Sequence, residues 1–226
     1  VFFMYESKIN KLREIPVFSL ADVSQIVSGK EYAKKLLKRI VSSGEVKKIR
    51  RDAYTFYDDP FLISTFLIKP SYISSISALA YHKLITQIPI EIFCLTTKIS
   101  KKFKYKTEIN FFHTEYFWGF EEKEYSEFKI PIATPEKAFI DSLGIVPISI
   151  FEESITGLNI KRILDYVLKI GKSSIVKRIG YLIEKNGFNT YSKLKKLINN
   201  KYIPLDPLRK PIGKKDKKWK LIINTK

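Results

Sequence analysis

Along the first sixty residues the apolar positions change from helical spacing to strand spacing, with a clear punctuation mark at each change. Residues 2–13 read as a first helix, stopped before Pro16 because proline disfavours helical geometry in the residue ahead of it. Ser19-Leu20-Ala21-Asp22 is a variant of the capping box, with Phe18 and Val23 in the two positions of a hydrophobic staple, and predicts a short helix to about Val27. Ser28-Gly29-Lys30-Glu31 repeats that signal in its stricter form, with Val27 and Tyr32 as the staple pair, so a second helix begins almost where the first one ends. Ala33, Leu36, Leu37, Ile40 and Val41 follow the i, i+3, i+4, i+7, i+8 pattern of one apolar stripe. Gly44 then stands where a left-handed residue closes a helix without steric cost.

The polar positions of this second helix are basic: Lys30, Lys34, Lys35, Lys38 and Arg39. Two short β-prone runs, residues 45–49 and 53–57, lie around Lys48-Ile49-Arg50-Arg51-Asp52 as a hairpin with a basic tip, whose candidate contacts are Lys47, Lys48, Arg50 and Arg51. Two helices joined by so tight a turn, the second basic on its outer side and followed by a basic hairpin, predict a winged helix-turn-helix that lays its second helix in the major groove. The helix cations are then assigned to the groove and Arg50 and Arg51 to phosphate or the minor groove. A solvated helix face beside an ordinary hairpin is the plainer alternative.

Asp58-Asp59-Pro60 is a turn signal and the expected boundary, giving residues 1–58 as the DNA-binding domain. Residues 61–67 are largely apolar and fit helix or strand. Residues 74–82 look helical, whereas 89–97, 104–113 and 128–133 are β-like, with Gly119 in a long connection. Thr134-Pro135-Glu136 is a helix start, with threonine as cap, proline in the first turn and an acid favoured by the dipole. After Pro147, stripes closed by Gly171 and Gly187 predict two helices, Tyr191 begins a third, and the chain from Lys201 onward reads as irregular and strongly basic. The expected class is α+β: the winged segment, a β-rich core with a small sheet over residues 59–146, and a helical part over 147–226 packed on that core.

Charge sharpens the picture because of where it sits. The 226 residues carry 41 Lys and Arg against 23 Asp and Glu, a net +18. Residues 1–57 hold 12 of the cations against 6 acids, and residues 193–226 hold 12 against 2, so the excess lies at the two ends. Nucleic acid is the natural partner for such a distribution, since each neutralised phosphate releases condensed counterion. Lys214, Lys215, Lys217 and Lys218 are additional candidate contacts in the tail. The apolar runs are far shorter than the roughly 20 residues that span a bilayer. No secretory pattern opens the chain and the single Cys94 permits no intrachain disulfide, so a cytoplasmic protein without membrane partners is expected.

Catalytic signals are few, and the residues call for no cofactor or metal. His82 and His113 have no ligand companions at metal spacing, and Cys94 lies in an apolar run that suits a buried side chain. Gly171-Lys172-Ser173 lacks the first glycine of a P-loop, whose place is taken by Tyr166, and reads as a helix cap. Glu121-Glu122-Lys123 contains an acid-x-Lys pattern that, with Glu91, Glu108 and Asp141, raises a metal-dependent nuclease as an alternative, provided that the acids converge. A protein-interaction module, with the wing on a partner and the tail on RNA, is the other.

The order of these parts resembles the AbiEi family, antitoxins of type IV abortive-infection toxin-antitoxin systems. The resemblance is carried by Lys48-Ile49-Arg50-Arg51-Asp52-Ala53-Tyr54; by Tyr72-Ile73-Ser74-Ser75-Ile76-Ser77-Ala78-Leu79 with Thr86-Gln87-Ile88-Pro89; and by Ala133-Thr134-Pro135-Glu136-Lys137-Ala138-Phe139-Ile140-Asp141. Arg178-Ile179-Gly180-Tyr181-Leu182, Pro204-Leu205-Asp206-Pro207 and Trp219 extend it into the last third. Family wings often carry glycine where Asp52 stands. The resemblance implies a transcriptional repressor that binds inverted repeats in its own operator. It also implies a larger carboxyl-terminal part that counters a nucleotidyltransferase toxin without forming a stable complex with it.

Overall fold

The first helix, α1 (Phe2–Arg13), stops short of Pro16 as the sequence requires. The protein is described here by a computed structural model covering residues 2–27 and 29–225. In α2 (Leu20–Val27) the capping box closes reciprocally: the backbone N–H and hydroxyl of Ser19 both donate to Asp22 Oδ2 at 2.7 Å, and the Asp22 N–H donates to Ser19 Oγ at 3.3 Å. The next helix, α3 (Lys30–Ser42), takes Gly29 as its N-cap; Ser28, expected in that role, lies outside the described residues. Strands β1 (Lys47–Arg50) and β2 (Ala53–Thr55) pair antiparallel, and Phe18 bridges to Tyr54 through two 2.9 Å backbone hydrogen bonds, adding a third rung to the hairpin. Leu12, Phe18, Val23, Ala33, Ile40 and Val46 form a core of their own among these elements.

From Asp59 a second, larger core begins. The Asp59 carboxylate accepts the N–H groups of Phe61 (2.8 Å) and Leu62 (3.4 Å), and with Pro60 in the first turn this makes a helix of the ambiguous apolar run, α4 (Pro60–Leu67). There follow β3 (Ser71–Ile73), α5 (Ser75–Tyr81), β4 (Ile92–Thr96), β5 (Lys101–Tyr105), β6 (Thr107–His113), β7 (Phe120–Tyr125) and β8 (Phe128–Ala133). These strands build one mixed sheet in the order β5-β6-β4-β3-β8-β7. That corrects the expectation of a small sheet in three places, the first being β3, an unexpected strand that pairs with both β4 and β8. The 104–113 run turns at Lys106, which adopts φ 58, and becomes two antiparallel strands. The long connection around 120 is strand β7, whose acidic residues mask a β pattern but suit a sheet edge with one solvated side.

The carboxyl-terminal third covers this sheet with α6 (Pro135–Asp141), α7 (Ile148–Phe151), α8 (Ile160–Ile170), α9 (Ser173–Lys185) and α10 (Tyr191–Leu194). Gly171 closes α8 at φ 65, the cap role read from the sequence. The tail expected to be irregular is ordered: β9 (Ile203–Pro204), β10 (Lys214–Asp216) and β11 (Leu221–Ile223) form a small sheet in the order β10-β11-β9. Trp219 anchors it, 1% exposed, with its indole N–H donating to Glu184 at 2.8 Å and its ring over Gly180, where a Cβ would come within 2.1 Å. Runs as short as Leu221-Ile222-Ile223 do not advertise this strand pairing, which needs the platform of α9 to exist. The whole is a mixed α+β chain in which no helix is long and apolar enough to cross a membrane, among the described residues.

Candidate nucleic-acid interface

The buried stripe of α3, Ala33, Leu36, Leu37 and Ile40, faces the small core and turns the opposite side outward. Lys30, Lys34, Lys35, Lys38 and Arg39 are all exposed there. Lys30, Lys34 and Lys38 fall at i, i+4 and i+8, one row along the helix. Lys34 is paired with Glu31 of its own first turn at 2.7 Å, both side chains being well exposed, so the contact is weak and salt-sensitive. Tyr32 shares the exposed side.

The hairpin divides its cations between two tasks. Lys48 and Arg51 are exposed. Arg50, read from the sequence as a phosphate or minor-groove contact, donates from Nη2 to the Leu67 carbonyl at 3.2 Å and places its guanidinium 5.3 Å from the centre of the Phe103 ring. Lys47 is half-buried and pairs with Asp58, which also receives Lys106; hydrogen bonding to Lys106 and then Lys47 holds the Asp58 carboxyl below its ordinary value. These two cations fasten the hairpin to α4 and to the β5–β6 turn. At the tip Asp52 adopts φ 56, the left-handed region, and its Oδ1 accepts the Leu20 N–H at 2.9 Å, capping α2. A residue with a side chain thus replaces glycine here by using that side chain to bind the start of the neighbouring helix.

In the tail, Lys214, Lys215 and Lys217 are exposed, Lys215 lies 5.4 Å over the Tyr202 ring, and Lys218 pairs with Glu184 at 2.6 Å. They surround β10 and are held by the Trp219 anchor instead of trailing from the molecule.

The acids of the nuclease alternative are dispersed. Glu121 pairs with Lys123 at 2.7 Å, Glu91 accepts from Asn110 at 2.6 Å, Glu108 pairs with Lys102 at 3.5 Å, and Asp141 is turned inward to Lys137. Among the described residues no three of His, Cys, Asp and Glu gather as metal ligands would. The His82 ring nitrogen Nε2 lies 2.8 Å from the Ala133 carbonyl, and burial pushes the Cys94 thiol up to about 12, away from nucleophilic use.

One polar constellation escaped the sequence reading. Lys137, fully buried, pairs with Asp141 one helical turn on and donates to the Tyr72 hydroxyl at 2.8 Å. The Asp141 carboxylate also accepts from Tyr72 (3.0 Å) and from Ser74 (2.7 Å). Burial, then the neighbouring carboxylate, drives the Tyr72 hydroxyl far above its ordinary pKa, so it stays protonated as a donor. The i, i+4 spacing of Lys137 and Asp141 on either side of the apolar run Ala138-Phe139-Ile140 was the legible signal.

No protein-family model matches the chain, and no curated protein does. Among solved structures, the chain is similar to the crystal structure of the RV2827C protein from Mycobacterium tuberculosis, with a TM-score of 0.65 at 11% identity, over 96% of this chain and 90% of that one. At that identity the likeness is one of fold, extending over nearly the whole of both chains.

Proposed function

We propose that residues 1–58 form a winged helix-turn-helix that binds double-stranded DNA, and that the protein is a transcriptional repressor of its own operon. The observation that carries this reading is the outward row of α3, Lys30, Lys34 and Lys38 with Lys35 and Arg39 beside it, followed by the exposed hairpin cations Lys48 and Arg51. A helix of this length with its apolar stripe seated on a core fits a major groove, and the hairpin then reaches the flanking backbone. The tail lysines 214, 215 and 217 offer a second, sequence-independent phosphate contact. The antitoxin role against a nucleotidyltransferase toxin rests on the family resemblance and belongs to the same proposal; residues 59–146 and 147–226 would carry it.

Gel shifts with the DNA upstream of the gene, run across salt concentrations, test the repressor reading. Binding should weaken steeply with salt, and Lys34→Ala or Lys38→Ala should each lower the salt slope by about one unit. Binding that ignores salt, or no binding to that DNA at any salt, would refute it.

A further inference from the structure

A cavity of about 620 Å³ opens between the end of α4 and the β7–β8 edge of the large sheet, in the size range of small-molecule sites. Phe66, Phe117 and Phe120 line it, with Lys69, Lys129 and Glu122 around them. Its aromatic wall is unusually well fixed. Phe120 stacks on Tyr72 at 4.6 Å, Phe117 meets Tyr72 edge-on at 5.3 Å, and the two phenylalanines contact each other at 5.0 Å. Tyr72 is itself pinned by Lys137 and Asp141 through its hydroxyl. Gly119, at φ 77, lets the Phe117–Phe120 turn close over the Lys137 stem, where a Cβ would lie 3.0 Å from Lys137 Cγ. A buried ion pair adds less stability than apolar packing of the same volume. What this one does is hold the wall of an open cavity in place.

We propose that the cavity binds a small planar aromatic anion, such as an aromatic carboxylate, with the ring against the phenylalanine wall and the charge between Lys69 and Lys129. Two ammonium groups against one carboxylate select a negative ligand, and the Lys69 ammonium already lies 5.0 Å from the Phe66 ring centre, at the edge of the aromatic surface. Occupancy would act on DNA binding, a step that rests on the repressor reading above. Leu67, which follows the lining residue Phe66 directly in the chain, accepts Arg50 of the hairpin at its carbonyl.

Calorimetric titration of the full chain with 2-naphthoate, and with neutral 2-naphthol for comparison, tests the site without reference to DNA. One 2-naphthoate per chain is expected, bound more tightly than 2-naphthol. The double charge reversal Lys69→Glu/Lys129→Glu should weaken 2-naphthoate about tenfold while leaving 2-naphthol unchanged. Both lysines are exposed, so the variant should keep the wild-type melting temperature, which checks its fold. No saturable binding, or 2-naphthoate binding indifferent to the reversal, overturns the site. Gel shifts at saturating 2-naphthoate should move the DNA midpoint at least about fivefold, the lower end of the usual coupling between sites; an unmoved midpoint overturns the coupling. If the ligand-free protein fails to shift its upstream DNA, the repressor reading falls, while the calorimetry still decides the cavity.

Discussion

Lys137 shows how much one side chain can commit a structure to. Its ammonium has left water entirely and is compensated by Asp141 and the Tyr72 hydroxyl, with the Tyr72 and Trp118 rings each 5.3 Å away. Removing one partner of such a pair leaves a buried charge uncompensated, so Lys137→Ala should cost on the order of 3–5 kcal/mol in urea denaturation. Replacing both partners, as Lys137→Met with Asp141→Leu, should recover part of that loss, because the apolar pair needs no partner while the buried Tyr72 and Ser74 hydroxyls lose the acceptor that Asp141 gave them. A double variant no more stable than Lys137→Ala alone would show that the pair is not the cause. Arg50 is the second instructive residue. Its charge type pointed to DNA, yet its guanidinium, although the residue is exposed like its neighbour Arg51, is engaged with Leu67 and Phe103.

Elements in the amino-terminal part are defined by their ends more than by their interiors. In α2 the Ser19 and Asp22 box acts locally, while Asp52, thirty-two positions away in sequence, supplies a further cap to Leu20. Asp52→Ala loses the cap and keeps the strained left-handed backbone, and should lower stability by about 2 kcal/mol; Asp52→Gly loses the cap but relieves the strain, and should cost about half as much. Thermal melts of the two variants check the order, and an alanine variant as stable as the glycine one would remove backbone strain from the explanation. Neither change touches α3, so any effect on DNA affinity would come through the hairpin tip.

Across the whole molecule the two cores are joined by a few polar fastenings. Asp58 ties Lys47 of the hairpin to Lys106 of the large sheet, Arg50 reaches Leu67, and the Tyr105 hydroxyl donates to the Tyr57 carbonyl at 2.8 Å. The Asp58 carboxyl is held below its ordinary value of 3.8, so its contribution is present above that value and lost as pH falls through the lower folded-state value. Asp58→Asn should therefore reduce stability at neutral pH and flatten the acid limb of the stability curve below pH 3.8, read by denaturant titration across pH. An acid limb identical to that of the wild type would assign acid sensitivity to other carboxylates. Salt should weaken the same fastening, since all three side chains are partly exposed.

What local chemistry could specify, the sequence specified. The stop before Pro16, the box at Ser19, the stripe of α3, the cap at Thr134 and the glycine that ends α8 each depend on residues within one or two turns, and all are where the pattern put them. The tertiary structure decided whatever depended on distant partners: that acidic β7 becomes an edge strand because β8 lies beside it, that the basic tail becomes a sheet because Trp219 finds Gly180 and Glu184, and that the exposed Arg50 is tethered to the body of the molecule because Leu67 and Phe103 are there to receive it. The physical reason is the range of the interactions. Caps and stripes are short-range and printed along the chain, whereas strand pairing and desolvated charge are settled only when remote segments meet and water leaves between them.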